Sequence, residues 1–147
     1  MTTPSAEDER ARTIVRLVGI YNADRTIRGE LAYFVGARLG LAHCGLCEIT
    51  HGLARERTEW KTCRAGLGVA FDTFHRDDQP DAIRSATGNT TPVVVAETGE
   101  GIITLLGPAD LDACGGSIEG LVESIDRAVV HAALLWPAEL TRRVTGQ

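Results

Sequence analysis

The stretch PVVVAETGEGIITLL, residues 92–106, decides the class of fold. Val93–Glu97 and Ile102–Leu106 are short runs of β-branched and other apolar residues, a composition typical of strands. Between them, Thr98–Gly101 carries two glycines and reads as a turn. The two strands are close enough in sequence to form an antiparallel hairpin.

Two further strands are predicted on the N-terminal side of this hairpin. The apolar runs at Thr13–Tyr21 and Val69–His75 both have strand composition. Helical spacing of apolar residues predicts a helix over Thr26–Leu41, and the segment Ala42–Ala65 is predicted to be mostly helical. The chain therefore alternates strands with helices before it reaches the hairpin.

The remaining helices are indicated by their end signals. A short helix is predicted after Asp78, with Pro80 in its first turn and Gly88 just past its end. Pro108–Ala113 is predicted to add one helical turn, and a final helix runs from Ser117 to Trp136. The predicted order is β-α-α-β-α-β-β-α, a single α/β domain with a mixed sheet.

Composition and charge narrow the possible classes of protein. The chain has 147 residues, of which 44% are hydrophobic and 24% charged, as in one globular domain. We expect a flexible N-terminus over residues 1–11, the domain over 12–136 and a C-terminal tail over 137–147. The net charge of −5 argues against a nucleic-acid partner. No stretch has the length of a membrane span, and residues 1–10 lack the apolar core of a signal peptide, so we predict a cytoplasmic protein.

The strongest chemical signal is the motif His43-Cys44-Gly45-Leu46-Cys47. Structural disulfides are rare in a reducing compartment, so a Cys-x-x-Cys pair there is typically redox-active or metal-binding. A cysteine at the start of a helix is stabilised as a thiolate by the backbone N–H groups and the helix dipole. Cys44 is therefore the predicted nucleophile and Cys47 the resolving thiol, with His43 favouring the thiolate when it is protonated.

From Cys44 onward the order of predicted elements resembles the thioredoxin superfamily. There, a Cys-x-x-Cys motif opens a long helix that is followed by a strand, a short helix, a proline-led strand, its hairpin partner and a final helix. The resemblance implies a thioredoxin-like fold and a reversible Cys44–Cys47 dithiol that acts on protein or small-molecule thiols and disulfides without a cofactor. The predicted helix over 26–41, before the motif, is an addition to that pattern.

The resemblance also implies a substrate-binding position in the chain. Pro92 stands where the superfamily has a cis-proline that faces the dithiol, immediately before its strand. A cis bond before proline costs only about 0.5–1 kcal/mol, so the match is physically reasonable. Thr91 and Pro92 are accordingly expected to bind the substrate, with the backbone of Thr91 hydrogen-bonding to it.

A metal site is the alternative that the sequence leaves open. On a helix, His43, Cys44, Cys47 and His51 lie along one side, so two thiolates and an imidazole can converge. That ligand set suits zinc or copper(I). His51 separates the hypotheses, because a metal site needs it and thiol–disulfide exchange does not. Cys63 and Cys114 are both predicted to be small buried hydrophobic residues.

Overall fold

A computed structural model of the chain describes residues 5–22, 58–114 and 116–138. Its elements, in chain order, are α1 (Ala6–Ala11), β1 (Ile14–Tyr21), α2 (Thr58–Ala65), β2 (Ala70–His75), α3 (Asp81–Thr87), β3 (Val93–Thr98), β4 (Gly101–Leu106), α4 (Pro108–Ala113) and α5 (Ile118–His131). The protein is thus an α/β protein, as predicted. The predicted helix over 26–41, and the part of segment 42–65 that precedes Thr58, lie outside the described residues.

The four strands form one mixed sheet in the order β2-β1-β3-β4. β1 runs parallel to β2 and antiparallel to β3, and β3 and β4 form the predicted antiparallel hairpin. The register pairs Tyr21 with His75 and Ile20 with Val93. The C-terminal ends of β1 and β2 and the start of β3 therefore lie together at one end of the sheet, here called the C-terminal edge.

Helices cover both faces of the sheet. On one face, α2, α4 and α5 pack through Trp60, Leu111 and Ile125 against a core that includes Leu17 and Val94. Trp60 is fully buried, and its ring meets that of Phe71 edge-on at 4.9 Å. On the other face, a smaller core contains the following buried residues: Val18, Ile20, Ile83 of α3, Val93 and Val95. Residues that alternate along β1 thus enter different cores, as expected for a strand covered on both sides.

The predicted end signals of the helices are confirmed. Pro80 precedes α3 and Gly88 follows it with φ 64°, a left-handed conformation that glycine adopts without strain. Ser117 caps α5, because its hydroxyl accepts a hydrogen bond from the backbone N–H of Gly120 at 3.0 Å. The predicted helix at Pro108–Ala113 is present as α4.

The final helix is shorter than predicted, which corrects the expected end at Trp136. It ends at His131, and Ala133 has φ 58°. This turn directs Leu134 and Leu135 back into contact with the sheet, where both are buried. The N–H of Leu135 donates to the carbonyl of Arg12 at 3.0 Å, and its carbonyl accepts from Ile14 at 2.9 Å. Burial of two leucines and this extra bridge to the start of β1 outweigh continuation of the helix.

The N-terminal segment contains a helix that hydropathy did not indicate. Within residues 1–11, predicted as a flexible N-terminus, Ala6–Ala11 form α1. Ser5 and Asp8 form a capping box, with each side chain bonded to the other's backbone N–H. No residue of α1 is buried, so its polar composition gave no periodic signal. Among the described residues, no helix is long and apolar enough to cross a membrane.

Candidate functional site

The sequence places six candidate residues in the site, and the structure describes two of them. His43, Cys44, Cys47 and His51 lie outside the described residues. Thr91 and Pro92 lie between α3 and β3, directly before the first residue of β3. The peptide bond between them is cis. The site is therefore built here from Thr91 and Pro92 outward.

Thr91 lies against the C-terminal end of β1. Its hydroxyl donates to Oδ1 of Asn22 at 3.0 Å, and Nη1 of Arg76 donates to the same oxygen at 3.5 Å. Asn22 directly follows β1, and Arg76 directly follows β2. One side-chain oxygen thus joins the ends of two parallel strands to the start of a third. In open α/β sheets, ligands bind outside the carboxyl ends of the strands.

The hydrogen bond between Thr91 and Asn22 matters because of the position of Asn22 in the sequence. Asn22 is the last described residue before residues 23–57, and Thr58 of α2 is the first after them. That connection contains all of the predicted dithiol and metal residues. Thr91 is therefore bonded to Asn22, the last described residue before the segment that contains Cys44 and Cys47 in the sequence.

A buried glutamine, Gln79, stabilises the loop that precedes Thr91. Gln79 is 5% exposed, and Nε2 of its side chain donates to the carbonyl of Arg76 at 3.0 Å and to Oδ1 of Asn89 at 3.3 Å. Asn89 has φ 62° and lies two residues before Thr91. Gln79 Oε1 is buried without a hydrogen-bond partner in the described part of the chain. The loop after β2 and the loop before β3 are thus joined through one side chain.

His75, at the end of β2, is held in place by two neighbours. Its ring packs on Tyr21 with the ring centres 5.6 Å apart, and its Nδ1 lies 3.6 Å from Oδ2 of Asp78. The backbone N–H of His75 donates to Oδ1 of Asp78 at 2.6 Å. The C-terminal edge therefore carries an imidazole, a phenol and several amide and hydroxyl groups in fixed positions.

The two described cysteines differ in burial. Cys114 is buried, as predicted, and its Sγ donates to the carbonyl of Asp110 at 3.4 Å. Cys63 is only partly buried, and desolvation raises the pKa of its thiol above the ordinary value. Because the thiolate is the reactive form, a raised pKa makes Cys63 a poor nucleophile at neutral pH.

The opposite half of β1 carries a charged cluster that the sequence analysis missed. The guanidinium of Arg16 donates to Glu97 of β3 through Nε at 2.7 Å and Nη2 at 2.9 Å, and to Asp72 of β2 through Nη1 at 2.9 Å. These bonds raise the pKa of Arg16, first through Glu97 and then through Asp72. Arg16 faces Glu97 directly in the β1–β3 register. A single sequence does not show that register, so it gave no signal for the cluster.

Within residues 5–22, 58–114 and 116–138, no group of three His, Cys, Asp or Glu residues could hold a metal ion. In comparisons with known proteins, no family model, no curated protein and no solved structure matches this chain.

Proposed function

We propose that this protein is a thioredoxin-like thiol–disulfide oxidoreductase that acts through Cys44 and Cys47. One observation carries the proposal. Thr91 of the Thr91–Pro92 pair is hydrogen-bonded at 3.0 Å to Asn22, the residue after which the chain continues to both cysteines. The expected substrate-binding pair is therefore bonded, at the C-terminal edge of the sheet, to the residue that precedes the segment containing the dithiol in the sequence.

The order of elements gives further support. After Thr58 the chain forms a helix, a strand, a short helix, a proline-led strand, its hairpin partner and, after the short helix α4, a longer final helix. From Thr58 onward this order is compatible with the one that the resemblance implies after the motif, with α4 as an addition. The mixed sheet, with one parallel and two antiparallel pairings, is compatible with it.

The proposed reaction transfers two electrons from the protein dithiol to a disulfide. The Cys44 thiolate attacks one sulfur of the substrate, the substrate S–S bond breaks, and the departing thiolate takes up a proton. Cys47, deprotonated in turn, attacks the Cys44 sulfur of the mixed disulfide and releases the second substrate thiol. The products are a reduced substrate and an oxidised Cys44–Cys47 pair, which an external thiol reductant returns to the dithiol. His43, when protonated, stabilises the Cys44 thiolate.

Thr91 and Pro92 bind the substrate in this proposal. The backbone of Thr91 offers hydrogen bonds to the extended chain on either side of the substrate sulfur, as one strand does for another. The Thr91 side chain is bonded to Asn22, and in this proposal the main chain of Thr91 binds the peptide. Partners are therefore protein or small-molecule thiols and disulfides.

We also propose a cytoplasmic location. Cys63 and Cys114 are both free thiols. Free cysteines are typical of reducing compartments, where structural disulfides rarely persist. A reducing compartment also supplies the thiols that the reaction needs to regenerate the dithiol.

The first test is the intact mass of untagged protein purified without chelator or added thiol. We expect a mass lower by two hydrogens than the reduced chain, with digestion placing the disulfide at Cys44–Cys47. A mass raised by one zinc or copper ion, and lost in His51→Ala, would replace the redox proposal with a metal site at Cys44, Cys47 and His51, with His43 as a further ligand.

Turnover provides the second test. Cys44→Ser should reduce a fluorogenic peptide disulfide, with dithiothreitol as reductant, no faster than buffer alone, because the nucleophile is absent. Cys63→Ser and Cys114→Ser are the matched controls and should retain the wild-type rate. Wild-type turnover in Cys44→Ser would contradict the proposal.

A further inference from the structure

Three loops meet at the C-terminal edge through a closed set of hydrogen bonds. Asn22 accepts from Thr91 and from Arg76, and Gln79 donates to the carbonyl of Arg76 and to Asn89. Asn89 and Thr91 belong to the same loop, so the circuit returns to its starting point. Arg84, in α3, adds a fifth hydrogen bond by donating from Nη2 to the Arg76 carbonyl at 3.2 Å.

The two halves of this circuit act on different parts of the loop before β3. Gln79 holds Asn89, at the beginning of the loop, where the backbone has a positive φ. Asn22 holds Thr91, the residue next to Pro92 and the strand. Gln79 is therefore placed to stabilise the loop, and Asn22 to fix the residue whose backbone faces a substrate.

We infer that Asn22 is a positioning residue for substrate binding, which acts by holding the Thr91 hydroxyl at the end of β1. This inference rests on the proposed function and adds a residue to it. Asn22 is suited to the role because its amide oxygen accepts two hydrogen bonds at once, one from each neighbouring loop.

A double-mutant cycle measures the coupling directly. Asn22→Ala and Thr91→Val each remove one partner of the 3.0 Å bond. With the peptide disulfide as probe, each should raise KM by roughly three- to ten-fold and leave kcat unchanged, since the chemical step belongs to the cysteines. The double variant should match Asn22→Ala, because the second change removes nothing that remains. Thr91→Ser, which keeps the hydroxyl, should restore KM to within about two-fold of wild type.

The controls separate positioning from a general loss of stability. Thr98→Val removes two hydrogen bonds of the Thr98 hydroxyl at the other end of β3, one to the carbonyl of Gly101 at 2.9 Å and one from the N–H of Glu100 at 3.1 Å. It should lower the unfolding temperature and leave KM unchanged. Additive effects in the cycle, or an unchanged KM in Asn22→Ala, would overturn the positioning role while the oxidoreductase proposal stands. A wild-type protein without turnover would overturn both.

Discussion

The two ends of strand β1 lie in different chemical environments. Near its start, Arg16 forms charged hydrogen bonds to Glu97 and Asp72 across three strands. At its other end, Asn22 and Thr91 meet through uncharged groups, beside Gln79 with an unmet acceptor. The charged end has its donors bound to carboxylates and so contributes to stability. The neutral end is named for the uncharged Asn22–Thr91 pair, although Arg76 also donates to Asn22. It joins three loops, and Gln79 Oε1 there has no partner among the described residues, which suits a binding site.

The largest effect is expected when a charge is placed at the neutral end, which tests the difference between the two ends of β1. Gln79→Glu replaces an amide donor with a carboxylate that faces two acceptors, the Arg76 carbonyl and Asn89 Oδ1. We expect it to lower the free energy of unfolding at neutral pH by about 3 kcal/mol, because a charge is buried against two acceptors and Arg84, which is bound to the same Arg76 carbonyl, offsets only part of that cost. Urea unfolding monitored by circular dichroism gives the value.

The pH dependence identifies the cause of that loss. Burial and the two acceptors raise the pKa of the introduced carboxyl in the folded state above its unfolded value. The destabilisation should therefore be present at neutral pH and relieved as the pH falls through that raised pKa. Gln79→Met, which carries no charge, is the control and should show a smaller, pH-independent loss. A loss in Gln79→Glu that does not change with pH would argue that the site is not desolvated.

The second test removes a charge from the charged end. Glu97→Gln takes away one of the two oxygens that bind Arg16, and with it the ionic part of the pair. We expect a loss of about 1–3 kcal/mol in the free energy of unfolding, as for hydrogen bonds to charged groups. Asp72→Asn should cost less, because Asp72 makes one bond to Arg16 and its side chain is 48% exposed.

A matched control for the second test lies on α3. Asp81 and Arg84 form an exposed pair at 3.6 Å, with the Asp81 side chain 97% exposed. Asp81→Asn should change the free energy of unfolding by less than about 0.5 kcal/mol. If Glu97→Gln and Asp81→Asn cost the same, the cluster on β1 is an ordinary surface pair and the contrast between the two ends fails. Turnover should be unchanged in Glu97→Gln and Asp72→Asn, because the cluster lies away from the C-terminal edge.

The same contrast explains which features the sequence could predict. The hairpin around Thr98–Gly101 and the ends of α3 at Pro80 and Gly88 were predicted because their signals are local. Contacts such as Arg16 with Glu97 depend on strand register, which requires the whole sheet to be known. The early end of α5 was missed because burial of Leu134 and Leu135 is a tertiary effect.

The residues of the candidate site likewise fall into those with a local sequence signal and those without one. Thr91 and Pro92 were proposed through a resemblance carried by a local motif, and the structure shows Thr91 at the end of β1. Asn22 and Gln79 had no comparable signal. An asparagine after a strand and a glutamine before a proline are both common in turns, so neither stands out until the loops are seen together.

The smallest expected effect concerns Cys63, and it tests whether Cys44, rather than Cys63, is the reactive thiol. Desolvation raises the pKa of the Cys63 thiol, so the folded protein holds that proton more tightly than the unfolded chain. The resulting stability is complete below the unfolded pKa and is lost as the pH rises through the folded value.

Alkylation of Cys63 by iodoacetamide, followed by mass spectrometry, should therefore reach its half-maximal rate at a higher pH than in a denatured control. Cys44, the proposed nucleophile, should show the reverse shift, because an activated thiolate forms at lower pH. Parallel pH profiles for the two cysteines would show that neither is activated, and the redox chemistry would then lose its nucleophile.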